Sequence, residues 1–229
     1  MSEYRTLNNI AYDHLRGMIY NSELEFHRIY SETKLAAQLK ISRTPIRDAL
    51  NRLAQERYID ILPNRGFMLH TPTQADIIEA YHVRMMIEGY CAEIVARHYP
   101  DAAARAAIDK MEDALSQQQR LLEDDSAYSL SQFWLDDMSF HKALLEYMNI
   151  SSMNAQYDRF MHIFMPQHLV EDEAAGGMHP RALDRHRTTL VEHAAITEAL
   201  KSHDLERVRQ SIRKHLDSSL KALYVRLED

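Results

Sequence analysis

The residues best suited to chemistry in this 229-residue chain are one aspartate and three histidines in its second half. Asp137 and His141 are four positions apart, so a helix would project both side chains from one face. Helical spacing also aligns His193 and His215 with apolar residues of their own segments, which points both imidazoles inward. Those apolar residues are Leu190, Ile196 and Leu200 for the first histidine, and Val208 and Ile212 for the second.

Two interpretations of this set remain open from spacing alone. A histidine on an apolar helix face is commonly a hydrogen-bonded core residue. Burying an aspartate without a partner is costly, however, and a divalent cation would satisfy all four groups. Nitrogen and carboxylate ligands without thiolate suit Zn²⁺, Ni²⁺, Mn²⁺ or Fe²⁺, and affinity does not choose among them.

The segments that must position these residues read as helices. The chain has only five glycines and six prolines, and the prolines stand mostly at element boundaries. Thr73, followed by Asp76, resembles a capping box after a linker at His70–Pro72. Six helices follow at about 74–98, 102–123, 127–148, 152–169, 181–202 and 204–226, with a loop at 171–180. We predict an all-α six-helix bundle over residues 73–229.

The stretch from Ser31 to Phe67 predicts a winged helix-turn-helix, which we place in residues 1–72. A support helix over Glu32–Leu39 precedes a second helix that starts at Ser42, whose hydroxyl can cap free backbone N–H groups. The apolar stripe of that second helix is Ile46, Ala49, Leu50 and Leu53. A first helix over Tyr4–Tyr20 completes the core. Its residues facing the support helix are Ile10, Leu15, Met18 and Ile19.

The opposite face of the second helix carries side chains that suit DNA. Arginine pairs bidentately with guanine, threonine contacts phosphate or a thymine methyl group, and asparagine matches adenine. The residues on this face are Arg43, Thr44, Arg47 and Asn51. Strands at 58–62 and 67–70 flank Pro63-Asn64-Arg65-Gly66, a hairpin signal that places Arg65 where it can enter a minor groove. The pattern as a whole predicts binding to double-stranded DNA.

Composition sets the broad class of the protein. Net charge is −7, but residues 1–72 hold ten basic and eight acidic side chains, a balance of +2, and the rest of the chain holds seventeen and twenty-six, a balance of −9. Charge alone therefore would not predict a DNA-binding protein. The single cysteine, Cys91, fits a reducing compartment. No apolar run approaches the roughly 20 residues that span a bilayer, so we expect a cytoplasmic protein.

The run SRTPIRDALNRLAQERYIDILPNRGF resembles the DNA-binding domain of GntR-type bacterial transcription regulators. The resemblance implies that Arg43, Thr44, Arg47, Arg65 and Gly66 contact DNA. The chain departs from the family pattern in two places. Phe26-His27 stands where the family often has a proline-glycine turn, and Thr33 stands where some members place a DNA-contacting arginine.

The second half resembles the helical FCD ligand-binding domain of the FadR-like branch, including its six-helix, metal-containing VanR-like members. The matching motifs are D-x-x-F-H at Asp137–His141, V-E-H-A-A-I at Val191–Ile196, and a histidine at position 215. The resemblance implies a divalent metal ion held by Asp137, His141, His193 and His215, and Zn²⁺ is the first candidate for that ion. It also implies a small carboxylate effector such as lactate, pyruvate or a sugar acid.

Arg84 corresponds to an arginine that the family usually keeps, and it could clamp the effector's carboxylate. The alternative for Arg84 is an intrahelical pair with Glu88. We expect a ligand-responsive repressor that acts as a homodimer on a palindromic operator, and not an enzyme. The alternatives are a metal-dependent enzyme, for which the sequence offers no motif assigning a general base, and a dedicated metal sensor.

Overall fold

A computed structural model describes residues 7–20, 23–123, 129–161 and 180–228, and most of these residues are helical. The chain forms two units, Met1–Thr71 and Pro72–Asp229, each with its own core. The first unit contains helices α1 (Leu7–Tyr20), α2 (Glu32–Leu39) and α3 (Arg43–Gln55), then strands β1 (Ile59–Leu62) and β2 (Gly66–Leu69).

Helix α1 packs mainly against α3, not against α2 as the sequence predicted. Leu15 and Ile19 are buried as expected, but Ile10 is 44% exposed, so its assignment to the core was wrong. Within α3, the predicted apolar stripe is confirmed, because all four of its residues are buried together with Pro45. The helix therefore turns its opposite face to solvent.

The connection between α2 and α3 is a tight turn. Ser31 caps α2 by accepting a hydrogen bond from Lys34 N at 3.4 Å. Lys40 ends α2 in the left-handed region, at φ 56°. Ser42 occupies the N-cap of α3, but its side chain makes no capping hydrogen bond, contrary to the prediction. Pro45 lies in the first turn of α3, where its missing N–H leaves no helical hydrogen bond unmade.

The wing is a two-stranded antiparallel hairpin with Ile59 opposite Leu69 and Leu62 opposite Gly66. Tyr30 extends it by exchanging two backbone hydrogen bonds with Phe67, at 2.7 and 3.0 Å. Gly66 has φ +123°, and a Cβ atom there would lie 2.0 Å from the carbonyl oxygen of Tyr30. Glycine at this position is therefore required by the backbone of the wing itself.

The described part of the second unit contains six helices. They are α4 (Gln74–His98), α5 (Ala102–Glu123), α6 (Leu130–Met148), α7 (Ser151–Met161), α8 (Pro180–Lys201) and α9 (Leu205–Glu228). The predicted capping box is present, because Thr73 accepts from Asp76 N and Asp76 accepts from Thr73 N. Residues 162–169 of the fourth predicted helix and residues 171–179 of the predicted loop lie outside the described residues.

Helix α4 is central to this bundle, since it packs against α9, α6 and α7. Helix α5 packs against α6 and α8, and α8 packs against α9. The interior contains apolar side chains together with a set of buried charged and polar groups. Within the described ranges, none of the helices is long and apolar enough to cross a membrane.

Candidate metal centre and DNA-binding surface

Three histidines from three helices meet in the interior of the second unit. His141 comes from α6, His193 from α8 and His215 from α9, and their exposed fractions are 0%, 0% and 1%. One nitrogen from each ring falls within a group whose members lie within 4.8 Å of one another. The Nε2 atoms of His141 and His215 are 3.2 Å apart. The structure thus brings together three of the four residues predicted to bind metal.

Asp137, the fourth, lies at the edge of the histidine group. Its Oδ1 is 3.5 Å from His193 Nε2 and its Oδ2 is 3.8 Å from His141 Nε2. The Asp137 side chain is 21% exposed, whereas the imidazoles are buried. Its carboxylate can therefore face both the histidines and a molecule that enters from solvent.

Each imidazole also has an oxygen acceptor on its other side. His193 Nδ1 lies 3.1 Å from Gln118 Oε1, and His215 Nδ1 lies 3.1 Å from Glu192 Oε2. His141 Nδ1 approaches Glu88 Oε2 to 2.8 Å, at an angle outside that of a hydrogen bond. An oxygen acceptor favours a proton on the nitrogen it faces. His193 and His215 are therefore expected to carry hydrogen on Nδ1 and a lone pair on Nε2.

That arrangement directs lone pairs toward one another. If His141 is neutral in the same tautomer, the Nε2 atoms of the three rings and the carboxylate of Asp137 are all acceptors, whereas a protonated His141 donates from Nε2 to His215 Nε2, 3.2 Å away. His193 Nε2 is buried and has no hydrogen-bond partner among the described residues. Two nitrogens bound to one tetrahedral Zn²⁺ lie about 3.3 Å apart, given Zn–N bonds of about 2.0 Å. The 3.2 Å between His141 Nε2 and His215 Nε2 matches that spacing, and imidazole nitrogen with carboxylate oxygen is a donor set that fits a divalent cation.

The protonation of the buried rings is consistent with ligation. Burial lowers the pKa of His193 well below its usual value, and the neighbouring His215 and His141 lower it further. Burial also lowers the pKa of His215, and His141 adds to that effect. Both rings are therefore neutral near pH 7, as metal binding through nitrogen requires.

Arg84 is buried beside this group, with its Nε 2.6 Å from Glu88 Oε1. Glu88 also accepts a hydrogen bond from the hydroxyl of Tyr157, at 2.8 Å. Burial alone would raise the pKa of Glu88, but Arg84 and His141 outweigh it and lower that pKa far below its usual range. Arg84 thus makes the intrahelical pair that the sequence left open as an alternative, and an additional role in effector binding stays a prediction.

Glu192 faces His215 as Glu88 faces His141, with a carboxylate oxygen next to Nδ1 of the ring. It accepts from Arg185 at 3.3 Å as well as facing His215. Arg185 also donates to the hydroxyls of Ser218 and Ser219, at 2.7 and 2.8 Å. Through these contacts, all six described helices of the second unit contribute a polar group to one connected cluster.

Sequence reasoning missed the outer acceptors of this cluster, although signals for them exist. Glu192 directly precedes His193, and Glu88 was considered only as a partner of Arg84. Gln118 continues the apolar face of α5 at helical spacing. The buried apolar residues of that face are Ala104, Ala107, Ile108, Met111 and Ala114. A polar residue at such a position needs a buried partner, and that requirement could have identified Gln118.

The exposed face of α3 presents the residues predicted to read DNA. The side chains of Arg43, Thr44, Arg47 and Asn51 are all exposed. Glu32 of α2 lies against two of them, since its Oε2 is 3.0 Å from Arg47 Nε and 3.9 Å from Arg43 Nη2. No pattern within one segment singles out Glu32, because the contact depends on how α2 crosses α3.

In the wing, Arg65 is exposed beside the half-buried Gly66. The backbone N–H of Arg65 donates to Leu62 O at 3.0 Å, which closes the turn. Asn64, in the turn of the wing, adopts φ 60°. Before α2, His27 stands where the family often has a glycine, and it adopts φ 61°. Arg65 is therefore placed at the tip of a well-formed hairpin.

Comparison with known proteins identifies the class of both units. The sequence profile described as "FCD domain" matches residues 79–218, and the one described as "Bacterial regulatory proteins, gntR family" matches residues 7–69. The chain is therefore a transcriptional regulator with a winged helix-turn-helix and a helical partner domain. It belongs to the GntR family of bacterial regulators that carry an FCD domain.

Individual relatives agree with this assignment. The "Gluconate operon transcriptional repressor" of Bacillus licheniformis is 27% identical over 207 residues, covering 89% of this chain and 79% of that protein. The HTH-type transcriptional regulator YdhC of Bacillus subtilis is 25% identical over 225 residues, covering 95% and 91%. The solved structure of E. coli McbR/YncC matches with a TM-score of 0.74 at 17% identity, over 97% of this chain and 99% of that one.

Proposed function

We propose that this regulator is a homodimeric repressor whose affinity for a palindromic operator is controlled by a small organic acid. The acid binds in the second unit, where it coordinates a divalent metal ion held by Asp137, His141, His193 and His215. Zn²⁺ is the first candidate for that ion. Arg84 assists by attracting the carboxylate of the acid.

The convergence of four acceptors in one buried cluster is the observation that supports the metal. With all three rings neutral and hydrogen on Nδ1, the Nε2 lone pairs and the carboxylate of Asp137 repel one another, and a divalent cation among them removes that repulsion, as would a proton shared by His141 and His215 at 3.2 Å. When bound, the ion supplies a Lewis acid that holds the effector's oxygen atoms. His141, His193 and His215 orient it, and Asp137 neutralises half of its charge.

Charge balance supports an anionic effector. The charges of the buried pair Arg84–Glu88 cancel, as do those of the partly buried pair Arg185–Glu192. A divalent cation and the carboxylate of Asp137 then leave one net positive charge at the proposed site. One relative is named for a gluconate operon, and gluconate is a hydroxycarboxylate of the kind that such a site would favour.

The DNA-binding residues support operator recognition by a dimer. Arg43, Thr44, Arg47 and Asn51 would enter the major groove, and Arg65 and Gly66 would contact the backbone or minor groove of a palindrome's half-site.

On α4, Met86 and Tyr90 are one turn apart and are 66% and 53% exposed. These two side chains offer an apolar surface to a second copy of the chain. By linkage, the factor by which effector changes operator affinity equals the factor by which operator changes effector affinity.

Elemental analysis of the purified protein beside an Asp137→Ala, His193→Ala double variant tests the metal site. We expect one divalent ion per chain in the wild type and none in the variant. If neither protein holds metal after incubation with Zn²⁺, Ni²⁺ and Mn²⁺, the histidines are structural and the proposed site is wrong.

Operator binding tests the regulatory half of the proposal. A duplex selected from a random pool by the metal-loaded protein would be titrated with and without a panel of hydroxy- and keto-acids. We expect at least one acid to weaken binding to the selected duplex. Affinity that follows metal concentration but ignores every acid would point instead to a metal sensor, and turnover of an ester or amide panel would point to an enzyme.

A further inference from the structure

We infer that Gln118 is a positioning residue of the metal centre, where one neutral side chain holds Asp137 and His193 in the orientation that ligation requires. The inference rests on the proposed metal site and adds a function to a helix, α5, that supplies no ligand.

The contacts of Gln118 connect the two ligands directly. Its side chain is fully buried. Its Nε2 donates to Phe133 O at 3.3 Å and to Asp137 Oδ1 at 3.5 Å. Its Oε1 lies 3.1 Å from His193 Nδ1. A single amide group on α5 therefore contacts a ligand on α6 and another on α8.

These partners allow only one orientation of the amide. A backbone carbonyl can only accept, so the NH₂ end of Gln118 must face Phe133 and the oxygen must face His193. The reversed amide would place oxygen against oxygen at Phe133. Because the Gln118 oxygen accepts from His193, the hydrogen of that ring is held on Nδ1, and the lone pair of Nε2 is directed toward Asp137 Oδ1, 3.5 Å away.

The choice of an amide matters for charge. Glu88 and Glu192, which face the other two imidazoles, are carboxylates, and each is paired with an arginine. If a carboxylate replaced the amide of Gln118, its negative charge would face that of Asp137 across the 3.5 Å that now separates Gln118 Nε2 from Asp137 Oδ1. Like the carboxylates of Glu88 and Glu192, Gln118 orients an imidazole, in this case that of His193. Because its amide is neutral, it does not reduce the net positive charge that attracts the effector.

The variant Gln118→Met tests this role, because methionine has similar length but neither donates nor accepts as an amide does. Loss of an outer hydrogen-bond partner of a metal ligand typically weakens metal binding by about 10- to 100-fold. We expect a loss of Zn²⁺ affinity in that range, measured by competition with a chromogenic chelator. Gln119→Met is the matched control, since Gln119 is the next residue of the same helix and is exposed. It should bind Zn²⁺ as the wild type does.

The wild-type part of a second measurement does not depend on the folding of Gln118→Met. In chelator-treated wild-type protein labelled with ¹⁵N-histidine, long-range proton–nitrogen spectra report which nitrogen of His193 carries hydrogen. The signal of His193 is identified by its loss in a His193→Asn variant. We expect hydrogen on Nδ1 in the wild type. In Gln118→Met that preference should disappear, which a merely space-filling role of Gln118 would not cause.

The outcomes separate this inference from the proposed function. If the wild type binds Zn²⁺ and Gln118→Met binds it equally well, Gln118 is not a positioning residue, although the metal site stands. Hydrogen on Nε2 of His193 in the wild type would also overturn the inference. If the wild type binds no metal under any condition, the proposed metal site fails and this inference fails with it.

Discussion

The two units of this regulator place their functional residues in opposite ways. In the first unit, the residues predicted to read DNA fall between Arg43 and Gly66, and all but the half-buried Gly66 are exposed. In the second unit, the predicted metal ligands extend from Asp137 to His215, and all three histidines are buried. A DNA-reading surface can be built from one continuous stretch of chain, whereas a closed metal site needs groups from several helices. The second site therefore depends on the whole bundle.

The ion pairs of the two units differ in burial, and therefore in how much each contributes to stability. Arg47 and Glu32 pair at 3.0 Å with side-chain exposures of 59% and 22%. Arg84 and Glu88 pair at 2.6 Å with exposures of 3% and 0%. Exposed pairs contribute about 0 to 1 kcal/mol, whereas removing one partner of a buried pair costs about 3 to 5 kcal/mol, because a charge is left without compensation. The following predictions test this difference.

The largest effect is expected for Glu88→Gln, which leaves the buried guanidinium of Arg84 without its carboxylate. The free energy of unfolding of the second unit should fall by about 3 to 5 kcal/mol. Trp134 is the sole tryptophan of the chain and is buried in α6, so urea denaturation followed by its fluorescence reports this unit alone. The double variant Arg84→Met, Glu88→Leu should recover only part of the loss, because it removes the unpaired guanidinium but leaves the buried hydroxyl of Tyr157 without its acceptor.

Glu32→Gln is the matched change in the first unit, and it should alter stability by less than about 1 kcal/mol. Urea denaturation followed by far-ultraviolet circular dichroism measures it. Equal losses for Glu88→Gln and Glu32→Gln would contradict the contrast between the two units.

An intermediate effect is expected on acidification of the chelator-treated protein. Burial lowers the pKa of His193 and His215 in the folded state, while an unfolded histidine titrates near pH 6.5. Below about pH 6.5 the unfolded state binds more protons, so stability should fall by up to about 1.4 kcal/mol per pH unit for each of the two histidines. Above pH 7 their contribution should stay constant.

The urea midpoint of Trp134 fluorescence between pH 5 and 8 measures this dependence. His14→Gln, a change at an exposed position of the first unit, should leave the slope unaltered. A midpoint that does not move between pH 5 and 7 would show that the two rings are not buried in their neutral form.

The smallest effect on stability, but a clear effect on DNA binding, is expected for Arg47→Ala. Loss of a base-reading arginine should cost about 1 to 3 kcal/mol of affinity for a selected operator and relax its sequence preference. Fluorescence anisotropy with the operator and with random duplex measures both quantities. Unchanged affinity for both duplexes would remove Arg47 from the recognition surface, and a shifted Trp134 midpoint would show that the substitution reaches the second unit.

The sequence predicted most of the fold because its signals are local. The α3 stripe, the Thr73–Asp76 capping box and the Pro63–Gly66 hairpin each depend on residues a few positions apart. The errors concern contacts between elements. Ile10 was placed in the core because it continues the apolar pattern of α1, but the crossing of α1 with α3 leaves it 44% exposed.

The same limit applies to the metal centre. Helical spacing grouped Asp137 with His141 and turned His193 and His215 inward, since each relation lies within one helix. The partners of Nδ1 lie on other helices for all three rings, namely Glu88 on α4 for His141, Gln118 on α5 for His193 and Glu192 on α8 for His215. Such pairings depend on how the helices pack, and no spacing within one segment encodes them.

The wide spread of the predicted metal ligands along the chain also has a consequence for synthesis. The first unit is complete by Thr71, and its contacts are short in sequence, so it can fold soon after it leaves the ribosome. His141 and His215 are 74 positions apart, so the ligand set is incomplete until α9 has emerged. In a growing chain, the fold that presents Arg43 to Gly66 would therefore form before the histidine group, whose assembly requires almost the whole of the second unit.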